Sequence, residues 1–243
     1  MTARFKAIAW DVDGTLVDSE PLHYRALIQV CRDRGCRIDG IDEMTFLGVS
    51  IADVWEQLRS DLPDGLSKGD WLAAIDRYYV ENCGSIAMQP GALKLIEKAA
   101  AAGIRQVCVS NSHRQVVEAN LQMMGAERYM EFLVCLDDVK NGKPAPEPYA
   151  RACSLLELPA HDVLAVEDSR TGAASATAAG LPVAVVGNMN AMESSTYGGF
   201  GSLEELAAEL FGASAVRELQ PATPAGNAHP GAAAICPAGS LSR

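Results

Sequence analysis

Two carboxylate pairs stand out by type and spacing. Asp11-Val12-Asp13-Gly14-Thr15 sets two acids two residues apart, directly after the apolar run at residues 7–10. One acid of such a pair can attack an electrophile or hold a metal, while the other moves a proton. A capped turn is the plainer reading, since Asp and Gly are common turn residues. Glu167-Asp168-Ser169 follows a second apolar run, residues 163–166. Its carboxylates are oxygen ligands suited to a hard cation such as Mg²⁺, or an N-cap for the next helix through Asp168 or Ser169. Ser110-Asn111-Ser112 offers a hydroxyl and backbone N–H groups where a helix would start, which suits an anion and equally a plain cap. Lys143 sits in Asn141-Gly142-Lys143-Pro144-Ala145-Pro146. Held beside carboxylates and a phosphate it would neutralise developing charge; otherwise it is a surface-loop lysine.

These four stretches each follow an apolar run that reads as a strand. Strands are expected at residues 7–10, 104–109, 132–136, 163–166 and 183–186, and helices at 92–102, 115–124, 148–156 and 173–179, three of them closed by Gly103, Gly125 and Gly180. Alternating strands and helices argue for a doubly wound parallel sheet, an α/β Rossmann-like core. In such sheets ligands bind at the carboxyl ends of the strands, where the four stretches fall. Residues 22–34, 51–59 and 71–82 read as helices with no convincing strand between Val17 and Met88. The expected organisation is therefore a core of residues 1–16 and 89–212, a helical cap inserted at 17–88, and an Ala/Pro/Gly-rich flexible tail at 213–243.

Of the 243 residues 49% are apolar, enough for a substantial core, and 31 acidic against 20 basic side chains give a net charge of −11. That charge disfavours nucleic acid or an anionic membrane as a partner, and no apolar run is long enough to span a bilayer. The first residues run straight into a short apolar strand without the long apolar region of a secretory signal. Seven cysteines, with no CxxC pair, suit reduced thiols in the cytoplasm.

Taken together, the motifs make the chain resemble the haloacid dehalogenase superfamily, over roughly residues 5–212. The nearest subgroup is the beta-phosphoglucomutase-like phosphatases with a helical cap. The resemblance is carried by Asp11-Val12-Asp13-Gly14-Thr15-Leu16-Val17-Asp18-Ser19-Glu20 and Glu167-Asp168-Ser169-Arg170-Thr171-Gly172. It implies that Asp11 is a nucleophile forming an aspartyl phosphate, and that Asp13 protonates the leaving alkoxide and then activates water. It also implies Mg²⁺ between the Asp11 carboxylate, the Asp13 backbone carbonyl and Asp168, with Glu167 close by. Ser110 and the Asn111 backbone would hold the phosphoryl oxygens, and Lys143 would complete the charge balance. Carboxylates around a dianionic phosphate need such cations, and Asp13 needs a raised pKa to act as an acid.

His23 lies where the mutase-like subgroup carries a cap histidine that contacts the catalytic acid and substrate; a helix-surface or core histidine is the alternative. Ser112 and His113 are further candidate substrate contacts, although His113 fits an exposed first-turn residue equally well. Leu47-Gly48-Val49-Ser50-Ile51 matches the cap substrate loop, but Ile51 stands where the mutases carry an arginine that grips a distal phosphate. The expectation is a Mg²⁺-dependent phosphatase of a small phosphorylated metabolite, such as a sugar or polyol phosphate. A phosphosugar mutase is the alternative, and a non-catalytic binding protein of the same fold a third reading. Oligomeric state is left open.

Overall fold

The computed structural model describes residues 4–38, 51–187, 190, 191 and 195–212; the tail at 213–243 and residues 47–50 of the cap loop lie outside them. The sheet is built around β1 (Ala7–Trp10), whose four residues are all buried. β1 pairs in parallel with β4 (Arg105–Val109) on one side and β6 (Val163–Glu167) on the other. The sheet runs β5-β4-β1-β6-β7-β8, where β5 is Leu133–Val134, β7 Val183–Val186 and β8 Gly198–Phe200. All of its pairings are parallel, as expected for an α/β fold.

Side chains alternate along each strand, so the sheet feeds two cores. Ile8, Trp10, Cys108, Leu164 and Val166 pack under α4 (Ala92–Ala101), α5 (Arg114–Met124) and α8 (Leu203–Phe211). Ala7, Ala9, Val107, Val109 and Ala165 pack under α6 (Glu147–Leu156) and α7 (Arg170–Ala178). The small alanines of β1 on this second face leave room for Tyr149 of α6 to lie fully buried against the sheet. The sequence reading assigns no element after residue 186. The structure adds β8 and α8 there, with the Ser202 hydroxyl capping α8 by accepting from the Glu205 N–H.

The insert holds α1 (Glu20–Asp33), α2 (Ile51–Leu58) and α3 (Lys68–Asn82) around its own core of Leu22, Ala26, Leu27, Trp71, Ile75 and Tyr79. The expectation of no strand in this block is corrected. Val17–Asp18 (β2) and Ala87–Met88 (β3) form a two-residue antiparallel ribbon where the chain leaves the core and returns to it. So short a ribbon has no readable alternation. Val116 of α5 joins the cap's core, so α5 is the platform on which the cap sits.

Candidate active site

Because β4, β1 and β6 are parallel neighbours, Ser110, Asp11 and Asp168 leave the sheet at the same edge. Asp11 is buried. Its Oδ1 accepts from Lys143 Nζ at 2.7 Å and its Oδ2 from Thr15 Oγ1 at 2.8 Å. The surface-loop alternative for Lys143 is excluded, since its side chain is only 4% exposed. The ammonium also donates to Glu167 Oε1 at 2.6 Å, and the Tyr149 hydroxyl donates to that same oxygen at 2.5 Å. The Lys143–Pro144 peptide is cis. Asn111 clamps this loop, its Oδ1 accepting from the Lys143 N–H at 2.7 Å and its Nδ2 donating to the Lys143 carbonyl at 3.0 Å. A Cβ on Gly142 would come within 2.7 Å of Asn111 Oδ1, so the loop can approach this closely only through glycine.

Asp13 sits in a different environment. Its Oδ2 accepts from Ser112 Oγ at 2.7 Å and Ser110 Oγ at 3.3 Å. Its Oδ1 lies 3.2 Å from His23 Nε2 and 3.5 Å from Asn120 Nδ2. His23, on α1 of the cap, therefore reaches Asp13. The structure also separates two alternatives left open by the sequence. Ser169 is the N-cap of α7, accepting from the Gly172 N–H, whereas Ser110 and Asn111 do not cap α5; His113 occupies that position. His113 is neither fully exposed nor aimed at Asp13: its Nδ1 lies 2.7 Å from Asp76 Oδ2 of α3, tying the core to the cap.

Burial, reinforced by the charges of Glu167 and Asp168, pushes the Asp11 carboxyl well above its usual range, although Lys143 opposes this. Burial and Glu167 likewise push Asp168 up to about 6. Burial alone would discharge Lys143, but Asp11 and Glu167 outweigh it and hold its pKa above normal. For Asp13 the expectation of a raised pKa is corrected. Burial does push it up, but the hydrogen bond and charge of His23, with the hydroxyl of Ser112, hold it well below the usual carboxylate range.

Asp11, Glu167 and Asp168 offer oxygens that all lie within 4.8 Å of one another. Lys143 is the one cation contacting this group among the described residues, leaving negative charge in excess. Gly14, at φ +84°, has no room for a Cβ because the Asp168 carboxylate occupies that space. An all-oxygen, crowded anionic set is the donor chemistry of a hard divalent cation. The Asp13 carboxylate is turned away from this set toward Ser112 and His23.

Sequence reasoning gave no role to Thr15, Tyr149 or Asn120. Thr15 lay inside the first motif, and its hydroxyl also reaches Asp168 Oδ1 at 3.3 Å. Tyr149 and Asn120 look like core residues of amphipathic helices, and only the fold reveals their polar ends. Among the described residues no helix is long and apolar enough to cross a membrane.

The family model for haloacid dehalogenase-like hydrolases matches residues 8–186. Among curated relatives, CbbY of Rhodobacter capsulatus is 35% identical over 192 residues, covering 73% of this chain and 83% of that protein. Hexitol phosphatase A of Escherichia coli is 32% identical over 186 residues, covering 75% and 83%. A plasmid-borne phosphoglycolate phosphatase of Cupriavidus necator is 30% identical over 184 residues, covering 74% and 80%. The crystal structure of a CbbY mutant from Rhodobacter sphaeroides with xylulose-(1,5)bisphosphate superposes with a TM-score of 0.76 at 26% identity, covering 87% of this chain and 99% of that one.

Proposed function

Since the chain belongs to the family of haloacid dehalogenase-like hydrolases, we propose that it is a Mg²⁺-dependent phosphatase that hydrolyses a small sugar or polyol phosphate through an aspartyl phosphate on Asp11. The observation that carries this reading is the contrast between two carboxylates two residues apart. Asp11 is gripped by a buried lysine, and Asp13 by two hydroxyls and a cap histidine.

In the first step an Asp11 carboxylate oxygen attacks phosphorus, the bond to the alkoxide breaks, and Asp13 gives that oxygen its proton. In the second, Asp13 takes a proton from water as the water oxygen attacks phosphorus, which releases phosphate and restores Asp11. The low pKa that His23 and the Ser112 hydroxyl give Asp13 suits it to the second step, in which it acts as a base. A phosphate dianion arriving beside Asp13 works against the hold of His23 and raises its proton affinity for the first. Lys143 would shield Asp11 from the incoming dianion, and Ser110 with the Asn111 N–H would take phosphoryl oxygens. Asp11, Asp168 and the Asp13 carbonyl would hold Mg²⁺, with Glu167 alongside; the ion supplies charge neutralisation at the phosphoryl group.

Phosphatase is favoured over mutase because residues 39–50 contain neither lysine nor arginine and Ile51 follows them. That loop therefore brings no charged clamp for a second phosphate. The names of the relatives, a hexitol phosphatase and a phosphoglycolate phosphatase among them, support small phosphate esters as the substrate class. A panel of such esters with Mg²⁺, read for free phosphate and for isomerised product, tests the reading. Parent enzyme should release phosphate and Asp11→Asn should release none. Isomerised product without phosphate release would contradict it.

A further inference from the structure

Asn120 is fully buried on the cap-facing side of α5, and its carboxamide has a partner at both ends. Its Oδ1 accepts from the Tyr79 hydroxyl of α3 at 3.0 Å and from Cys83 Sγ at 3.4 Å. Its Nδ2 points at Asp13 Oδ1 at 3.5 Å. The carboxylate fixes the orientation: it only accepts, so it faces Nδ2 and leaves Oδ1 to accept from the hydroxyl and the thiol. The ring of Tyr79 lies against the ring of His23, with centroids 4.4 Å apart. One cap tyrosine therefore touches both groups that approach Asp13 Oδ1: His23 by stacking and Asn120 by a hydrogen bond.

Building on the phosphatase reading, we infer that Asn120 is a positioning residue for Asp13, held in its working orientation by Tyr79 of the cap. Without Tyr79 the Asn120 oxygen loses its stronger donor inside a buried site, and the side chain can rotate its amide away from Asp13. Cap placement is thereby read at the proton-transfer group through the core as well as through His23. The role concerns proton delivery, so it should show in the leaving group. An alkoxide departing from phosphorus needs the proton of Asp13, whereas p-nitrophenolate is stable enough to leave without one.

The test compares kcat/KM, which reports on the first chemical step, for p-nitrophenyl phosphate and for an alkyl ester. The alkyl ester is glycerol 3-phosphate, sorbitol 6-phosphate or glucose 6-phosphate, whichever the parent hydrolyses fastest. Tyr79→Phe keeps the ring against His23 and removes only the hydroxyl. It should lower kcat/KM for the alkyl ester by about tenfold, with less than about a twofold change for p-nitrophenyl phosphate. Asn120→Leu should give the same pattern, and the double variant should be no worse than the single ones, because all three break one bridge. Should Asn120→Leu fail to fold, Tyr79→Phe carries the test alone. An equal loss on both esters, or no loss on either, overturns the assignment while leaving the phosphatase reading intact. A parent that hydrolyses neither ester overturns the phosphatase reading, and the assignment with it.

Discussion

Replacing Lys143 with methionine keeps most of the side-chain volume and removes the ammonium that Asp11 and Glu167 share at 2.7 and 2.6 Å. Removing one partner of a buried ion pair costs about 3–5 kcal/mol, because the remaining charge is stranded without water. The upper part of that range is tempered here, since Thr15 still donates to Asp11 and Tyr149 to Glu167. In a chain of this length 1 kcal/mol moves Tm by about 2–4 °C, so a loss of about 3–4 kcal/mol should lower the melting temperature by roughly 6–16 °C. The deficit should also depend on pH. Burial and the charge of Glu167 already push Asp11 above its ordinary pKa, and loss of Lys143 removes what opposes them. A carboxyl that titrates higher folded than unfolded stabilises the fold below its unfolded pKa and loses that contribution as pH rises through the folded one. Thermal unfolding of parent and variant in EDTA, followed by circular dichroism at about pH 8 and about pH 5, should show the larger gap at the higher pH. A loss below about 1 kcal/mol, or the same loss at both values, would refute a buried lysine as the counter-ion of this site.

Two other perturbations have defined outcomes. Thr15→Val removes a hydroxyl that orients both Asp11 and Asp168. It should raise the Mg²⁺ concentration for half-maximal turnover by about 10–100-fold, the usual consequence of losing an outer partner of a metal ligand, as a magnesium titration of initial rates would show. Asp76→Asn weakens the link between α3 of the cap and His113 of the core, whose hydrogen bond to Asp76 raises the histidine's pKa. The pair stabilises below the ordinary histidine pKa and loses that contribution as pH rises through the raised value. The variant should therefore lose up to about 1 kcal/mol in denaturant unfolding at acid pH and little at alkaline pH.

Much of the core was legible because its signals are local. Residues 7–10, between Lys6 and Asp11, and residues 183–186, between Pro182 and Gly187, are short apolar runs with clear ends, and both form strands over those residues. The four strand-end stretches could be placed on one edge from the parallel topology alone. The ribbon of Val17–Asp18 and Ala87–Met88 was not readable, because two residues carry no period and the pairing joins chain segments about 70 residues apart. β8 contains Gly198 and Gly199, which carry no strand preference of their own. α8 is different: Ser202 with Glu205 before an apolar-rich stretch is a capping signature that the sequence does carry. Within the site, residue types and chemistry were readable and their tuning was not. The low pKa of Asp13 depends on His23 and Ser112, which come from α1 and from the loop after β4. Asn111 was expected to act through its backbone, and its side chain turned out to hold the Lys143 loop. Such contacts between distant segments exist only once the fold does.

In the proposed mechanism Asp11 becomes phosphorylated during turnover. Mixing the enzyme with Mg²⁺ and its best ester, quenching in acid within the first turnover and mapping the peptides by mass spectrometry tests it directly. One phosphoryl group is expected on the peptide carrying Asp11, removed by borohydride reduction as an acyl phosphate is, and none in Asp11→Asn. A phosphoryl group on another residue, or release of phosphate in that turnover with the Asp11 peptide unmodified throughout, would contradict it.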